Sequence, residues 1–246
     1  MLFRSGIVVH ATAGFAALAS ALYVGKRTVA SDGPHNIPYI ALGAGLLWFG
    51  WYGFNAGSEL QVNTVTVSAF VTTDIAAAFA AVTWFIIEKI RTGKPKLVGF
   101  LTGAVAGLAT ITPAAGYVSI QSAALIGIIA SFVCYFVVLL VRRYLDDALD
   151  VFGVHGVGGI TGSILVGVFA SATWNANGPD GLLEGNGMQI IKQITAVVFT
   201  SVWSFIFTLA ILWLINKFTV VKVDQNKVGG ELDNTLFGED AYSEKN

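Results

Sequence analysis

Residues 146–159 read DDALDVFGVHGVGG, in which three acidic residues precede one histidine, His155, in a glycine-rich apolar run that continues to residue 166. Glycines let helix backbones approach closely in lipid, so the run is typical of a helix packed inside a membrane bundle. An imidazole at membrane depth costs free energy and marks a functional position by default. The stretch therefore predicts a membrane helix that carries a functional histidine.

A second copy of the pattern lies near the N-terminus. Residues 9–14 read VHATAG and residues 154–159 read VHGVGG, so both contain V-H-x-x-x-G. One interpretation is that each histidine is bonded to a neighbouring backbone group. The shared context instead favours one site built from two halves of an inverted repeat, in which His10 and His155 meet on antiparallel helices.

The composition is that of a membrane protein. Of 246 residues, 55% are hydrophobic and 12% are charged, and the mean hydropathy is +0.71. Soluble domains carry roughly 25% charged residues, so we expect an all-α, polytopic membrane protein. The net charge of −1 provides no basic field for nucleic acid. The single cysteine, Cys134, cannot form an intramolecular disulfide.

Seven apolar segments are long enough to span a bilayer, which takes about 20 residues. The fourth is the least regular, because Pro113 should break or end its helix. The first also resembles a secretory signal peptide, although His10 interrupts its apolar run. The seven segments are residues 6–25, 37–58, 62–90, 97–117, 121–141, 153–172 and 189–216.

Basic residues follow the first, third, fifth and seventh segments, whereas the loops at 59–61, 117–121 and 173–188 contain neither lysine nor arginine. The positive-inside bias then predicts a multi-pass protein of the cell (plasma) membrane with its N-terminus outside and its C-terminus in the cytoplasm. We divide the chain into a transmembrane domain, residues 1–216, and a polar cytoplasmic tail, residues 217–246.

Polar groups accompany the aromatic end of the second segment. Aromatic residues at a helix end usually form an interfacial belt. However, Asn55 and Ser58 are three residues apart on one helical face, beside Phe54. Hydroxyl and cation–π contacts from this group would suit a small cation at the outer mouth.

The three acids before His155 suggest a structural role. Asp146, Asp147 and Asp150 lie one to two turns before the histidine, where carboxylates favour a helix N-terminus and cap its free N–H groups. We expect this role to explain Asp146 fully and the other two in part.

Other classes of site fit the sequence poorly. Two histidines underfill a tetrahedral zinc site, and no cysteine or acid lies at helical spacing beside either one, so we expect neither metal nor cofactor. The absence of a nucleophile–base pair argues against an enzyme. A seven-helix retinal protein needs a lysine in the middle of its last helix, whereas Lys192 lies near the start of that segment.

Together the motifs resemble those of the ammonium transporter (Amt/Mep/Rh) family. The resemblance rests on four stretches in the family's order and on a similar tail: VVHATAG at 8–14, WFGWYGFNAGS at 48–58, GAVAGLATITPAAGYV at 103–118 and DDALDVFGVHGVGG at 146–159. It implies a homotrimer in the lipid bilayer. Each protomer would hold a pore for ammonium or ammonia, made of two inverted five-helix repeats and a final helix.

The resemblance also implies roles for single residues. Ammonium would be recruited outside and lose a proton near a gate, and ammonia would then pass a pair of histidines. A PII-type signalling protein would engage the cytoplasmic tail. The residues so implied are the pore histidines His10 and His155, the gate ring Phe54, the recruiting hydroxyl of Ser58, and the supporting residues Asn55, Asp147 and Asp150.

The chain departs from the family in three places. It resembles only the fifth to eleventh of the family's eleven helices. Leu2 stands where the family has an aspartate eight residues before the first histidine, and in the tail Phe237 and Glu231 replace a histidine and a glycine. We therefore expect poor ammonium conduction by this chain alone. The alternative is a non-conducting fragment or partner-dependent membrane subunit that binds a PII-type regulator.

Overall fold

The computed structural model describes residues 6–27, 33–222 and 237–239, and its regular structure is helical. π-Helical turns occur at Gly6–Ala11 and Phe152–Gly156, and short 3-10 helices at Gly57–Glu59 and Leu182–Glu184. The seven α-helices in this part of the chain are α1 (Thr12–Val24), α2 (Ile37–Asn55), α3 (Thr64–Thr92), α4 (Leu97–Ile111), α5 (Ile120–Tyr144), α6 (Val157–Phe169) and α7 (Met188–Ile215).

Six helical segments of the described chain are long and apolar enough to cross a bilayer. Helix α4, in the fourth predicted segment, has 15 residues and is shorter than these six spans. The expectation of an all-α, polytopic membrane protein is confirmed, and the six spans agree with the predicted segments to within three residues at each end. They are Gly6–Val24, Ile37–Glu59, Thr64–Thr92, Ile120–Tyr144, Phe152–Phe169 and Met188–Ile215.

Helix α4 is short because of the sequence that follows it. Its last residue is Ile111, and Pro113 next supplies a ring that clashes with a continuing helix and lacks a backbone N–H. The chain turns through residues 112–116, where Gly116 adopts a positive φ of 78°. The predicted break near Pro113 is therefore confirmed.

Polar side chains set where several helices begin. Asn36 accepts a hydrogen bond from the Tyr39 N–H at the start of α2, and Ser119 caps α5 in the same way. At α3, Asn63 accepts from the Thr66 N–H while the Thr66 hydroxyl accepts from the Asn63 N–H. These reciprocal bonds satisfy N–H groups that have no partner within the helix.

Small residues hold the centre of the bundle, where α3, α4 and α5 meet. A Cβ added at Gly107 of α4 or Gly127 of α5 would lie 2.6 or 2.3 Å from the carbonyl oxygen of Ala76 on α3. In lipid the hydrophobic effect does not favour association of helices. Close contact between backbones stabilises their packing instead, through dispersion attraction.

Helix α1 and the preceding π-helical turn run antiparallel to α6. The backbone of Gly6 lies against Ser163, and that of Gly14 lies against Gly156, so residue numbers rise along one segment as they fall along the other. The Ser204 hydroxyl of α7 donates to the Thr12 carbonyl oxygen at 2.7 Å and ties the last helix to this pair. The antiparallel arrangement expected from the repeat is confirmed.

The basic loops meet on one side of the bundle, which we call the basic face. Lys26 Nζ donates to the Arg143 carbonyl oxygen at 3.1 Å, and the Arg27 guanidinium forms two 2.6 Å hydrogen bonds with Asp146. Those bonds hold the pKa of the Asp146 carboxyl below its usual range. The expectation that the basic loops share a side is confirmed, and the assignment of that side to the cytoplasm stays a prediction.

The packing predicts opposite outcomes for one substitution at two glycines. Gly127→Ala puts a methyl group into the α3 backbone and should destabilise the protein by about 1–3 kcal/mol, seen as a lower apparent melting temperature in detergent. Gly45→Ala on α2 is the matched control, because no atom of the described residues lies within 4 Å of its Cβ position. An unchanged melting temperature for Gly127→Ala would contradict the close α3–α5 contact.

Candidate functional site

Both histidines of the repeated pattern lie in π-helical turns. His10 belongs to Gly6–Ala11, before α1, and His155 belongs to Phe152–Gly156, before α6. A π-helical turn inserts an extra residue into a helix and is frequent at functional sites. The sequence repeat is thus also a repeat of local backbone structure.

The structure brings the two imidazoles into contact. Nδ1 of His10 and Nδ1 of His155 are 3.3 Å apart, and the ring centroids are 5.4 Å apart with the planes 26° from parallel. A bond between two ring nitrogens needs one donor and one acceptor. If both rings are neutral, one therefore carries its hydrogen on Nδ1 and the other on Nε2.

The glycines of the V-H-x-x-x-G pattern make this contact possible. A Cβ at Gly159 would lie 2.7 Å from the His10 Cβ, and one at Gly14 would lie 2.1 Å from the Gly156 Cα and 3.4 Å from the carbonyl carbon of His155. The glycine of each copy thus lies against the histidine segment of the other copy. The spacing in the repeat sets how closely the two helices approach.

Trp51 of α2 completes the site, and the sequence analysis did not single it out. Its ring stacks on His10 with centroids 5.3 Å apart and planes 12° from parallel. Its Nε1–H donates to the Thr112 hydroxyl at 2.8 Å, and this bond holds the ring in its orientation. The available signal was its position three residues before Phe54, on the same helical face.

The histidines line a groove of about 540 Å³ between the N-terminal π-helical turn and α2, which we call the imidazole groove. Its walls are otherwise mainly apolar or aromatic. Leu46 and Phe54 are 64% and 37% exposed, so within the described residues the groove is open along α2. The lining residues are Val9, His10, Ala13, Leu46, Leu47, Gly50, Trp51, Phe54, Val151 and His155.

One polar atom in the groove lacks a partner. His10 is 3% exposed, and its Nε2 has no hydrogen-bond partner among the described residues. A buried polar group without a partner costs free energy, and in native proteins it usually marks a bound water, an ion or a functional role. The His10 ring therefore carries one buried nitrogen whose hydrogen-bonding capacity the described residues leave unused.

The residues expected at the outer mouth separate into two groups. The Phe54 ring lies 6.0 Å from the His10 ring, and Ser58 donates to the Phe54 carbonyl oxygen at 2.5 Å from the 3-10 helix that follows α2. Asn55 is fully buried, and its Nδ2 donates to the Thr73 hydroxyl of α3. The expectation that Asn55 and Ser58 share an open face is wrong, because the helix changes form between them and Asn55 joins α2 to α3.

The three acids before His155 have three different partners. Asp147 accepts the N–H groups of Val151, Phe152 and Gly153 at 2.9, 2.9 and 3.3 Å, so it caps the segment that carries the histidine. Burial raises the pKa of the Asp147 carboxyl above its usual range, and the three amide donors offset part of that rise.

The carboxylate that caps this segment is Asp147, and the other two acids have arginine partners. Asp146 binds Arg27, as described above, and Asp150 forms an ion pair with Arg142 of α5 while its backbone adopts a φ of 55°. Leu2, which aligns with Asp147 when the two copies of the repeat are compared, lies outside the described residues. Glu231 of the tail also lies outside them. Phe237 is described and exposed.

A family model described as the Ammonium Transporter Family matches residues 3–242. The chain belongs to the ammonium transporter family. It is 47% identical over 243 residues to the ammonium transporter of Aquifex aeolicus, and 42% identical over 245 residues to that of Bacillus subtilis. These alignments cover 98% of this chain but 57% and 61% of those relatives, so the chain spans somewhat over half of their length.

Solved structures show the same relationship. The crystal structure of Candida albicans Mep2 superimposes with a TM-score of 0.85 at 36% identity, covering 92% of this chain and 53% of that one. The matched relatives are named as transporters, and the chain thus belongs to a family of transport proteins rather than enzymes.

The cap at Asp147 predicts a test of what orders the His155 segment. Asp147→Ala removes an acceptor from three backbone N–H groups and should cost about 1–2 kcal/mol, measured as a lower apparent melting temperature. Asp146→Ala, in the same loop, removes an exposed ion pair with Arg27 and one exposed hydrogen bond from the Arg27 backbone N–H, and should cost about 0–1 kcal/mol. Equal losses in the two variants would contradict the capping role.

Proposed function

We propose that this chain forms the histidine-containing part of a pathway that carries ammonium nitrogen across a membrane. Ammonium would be recruited and deprotonated at the outer side, and ammonia would pass along the imidazole groove. The proposal is supported by membership of the ammonium transporter family and by the names of the relatives. One observation carries it: the unpartnered Nε2 of His10 in an apolar groove.

The chemistry of the groove favours a small neutral solute over a cation. Removing an ion from water into an apolar environment costs far more than removing a neutral amine, and the described residues that line the groove include no carboxylate. A solute that can both donate and accept hydrogen bonds suits imidazole nitrogens, whose roles depend on the tautomer. Ammonia has this property and ammonium, which has no lone pair, does not.

The imidazole pair also suits the handling of a proton. The two Nδ1 atoms are within hydrogen-bond distance, so a proton can move between the rings without leaving the pair. We propose that Phe54 gates the outer end of the groove, and that the Ser58 hydroxyl contributes to ammonium recruitment. Support for these roles is the 6.0 Å approach of Phe54 to His10 and the hydrogen bond from Ser58 to the Phe54 carbonyl.

A second proposal concerns the open side of the groove. His10 is buried, but His155 is only partly buried, and the described helices leave the groove open along α2. Contact between an imidazole and lipid there would be unfavourable. We therefore propose that conduction requires further transmembrane helices to cover it, whether these belong to the same polypeptide or to another. Without them the chain would be the non-conducting, partner-dependent membrane subunit considered above. Assembly as a homotrimer and binding of a PII-type protein to the tail remain proposals drawn from the resemblance.

Covering the groove should change transport. Cells that lack their own ammonium transporters would express residues 1–246 alone, or the same residues joined to the part of the Aquifex aeolicus relative outside the matched region. We expect uptake of labelled methylammonium to be at least about tenfold higher for the chimera, equal to about 1.4 kcal/mol. Equal uptake at equal membrane abundance would contradict the need for a cover.

The histidine pair is tested in whichever of these two proteins transports. His155→Phe removes both ring nitrogens and should lower methylammonium uptake at least about tenfold. His35→Phe is the matched control, because His35 lies between α1 and α2, outside the groove lining, and should leave uptake unchanged. Full uptake by His155→Phe would overturn the proposed role of the imidazoles.

A further inference from the structure

The π-helical turn that carries His10 is held at its C-terminal end by two hydroxyl groups. The Thr12 hydroxyl donates to the Ile7 carbonyl oxygen at 3.2 Å, and the Ser204 hydroxyl of α7 donates to the Thr12 carbonyl oxygen at 2.7 Å. Ser204 is 5% exposed, so this second bond lies inside the bundle. Thr12 thus links the turn to a helix that comes 192 residues later in the chain.

The bond within the turn has the spacing of a π-helix. Thr12 reaches five residues back, to Ile7, whereas hydroxyls inside regular α-helices of this chain, such as Ser20 and Thr102, reach four residues back. A π-helix pairs residues five apart, and an α-helix pairs residues four apart. The Thr12 hydroxyl therefore stabilises the π-helical register in particular.

The π-helical register sets the direction of the His10 side chain. The turn contains one residue more than an α-helix would place there, and one residue of an α-helix corresponds to a rotation of about 100°. Relaxation to an α-helix would turn His10 by that angle relative to Gly14, which packs against the segment that carries His155. The ring would then leave its 3.3 Å contact with His155.

The second copy of the repeat is held in a different way. Val157 aligns with Thr12 and has no hydroxyl. The turn that carries the second histidine is instead held at its N-terminal end, where Asp147 accepts three backbone N–H groups. In the first copy Leu2 aligns with Asp147, and a leucine side chain offers no acceptor. The described residues thus support the two turns with different polar groups, at opposite ends.

We propose that Ser204 and Thr12 are positioning residues for the imidazole pair. The Ser204 hydroxyl holds the Thr12 backbone in place, and the Thr12 hydroxyl holds the turn in its π-helical register. That register directs the His10 ring to His155. The inference rests on the proposed function, because it gives α7 a part in the pathway past the imidazoles. None of the described residues that line the imidazole groove belongs to α7, so the two hydrogen bonds transmit its effect.

NMR of the purified chain in detergent, with its histidine rings labelled with ¹⁵N, tests the positioning directly. A hydrogen bond between two ring nitrogens produces a coupling between their ¹⁵N nuclei, and separation of the rings removes it. We expect this coupling between the Nδ1 atoms of His10 and His155 in the unchanged chain. Ser204→Ala and Thr12→Val should each lower the ratio of paired to separated rings about fivefold, the usual contribution of one hydrogen bond, and so reduce the coupling.

Matched variants separate positioning from a general loss of packing. Ser201→Ala, three residues earlier on α7, removes a hydroxyl that is equally buried but has no partner among the described residues, so the coupling should stay unchanged. Thr12→Ser keeps the hydroxyl that Thr12→Val removes and should retain the coupling. If Ser204→Ala does not fold, Thr12→Val, which preserves the shape of the side chain, supplies the same test. Full coupling in Thr12→Val, or an equal loss in Ser201→Ala, would overturn the positioning role.

A transport measurement distinguishes failure of this inference from failure of the proposed function. In whichever protein transports, Ser204→Ala should lower methylammonium uptake about fivefold at equal membrane abundance, and Ser201→Ala should leave uptake unchanged. Unchanged uptake in Ser204→Ala, together with loss of uptake in His155→Phe, would overturn the positioning role and keep the imidazole pathway. Absence of the coupling in the unchanged chain would overturn the histidine pair and the positioning role with it.

Discussion

The close approach of two glycine-bearing segments is the constraint on which the site depends. Gly14 and Gly159 each leave space for the histidine segment of the opposite copy, and only at that separation can two ring nitrogens come within 3.3 Å. A single methyl group at either glycine would force the helices apart. The imidazole contact is thus a consequence of backbone packing, and side-chain chemistry alone does not produce it.

This dependence explains why the histidine pair could be predicted and its surroundings could not. The repeat V-H-x-x-x-G contains both the histidine and the glycine that fits against the other copy, so a single local pattern specifies this contact. Trp51 and Thr112 lie far apart in sequence, and their hydrogen bond forms only because α2 and the end of α4 meet. No local pattern encodes such a pair. The membrane spans were predicted closely because length and hydropathy are local properties.

The acids before His155 show the same limit at finer scale. The sequence correctly predicts that carboxylates precede the helix. Which of them caps it depends on the positions of Arg27 and Arg142, which belong to other segments. Arg27 pairs with Asp146, and Arg142 pairs with Asp150. Asp147 accepts the backbone N–H groups instead. Tertiary contacts therefore decide between three neighbouring residues that sequence propensity treats alike. Asn55 is a similar case, since its partner Thr73 belongs to another helix.

The distribution of charge separates the imidazole groove from the basic face. Among the described residues, the lining of the imidazole groove contains no carboxylate, lysine or arginine, while basic side chains from the ends of α3 and α5 collect on one face. A path for a neutral solute has to exclude fixed charge, because a fixed charge would retain water and counter-ions in the path. Lysines and arginines at helix ends also stabilise the C-terminal dipoles of α3 and α5. The same separation that keeps the groove apolar thus concentrates cations on the basic face.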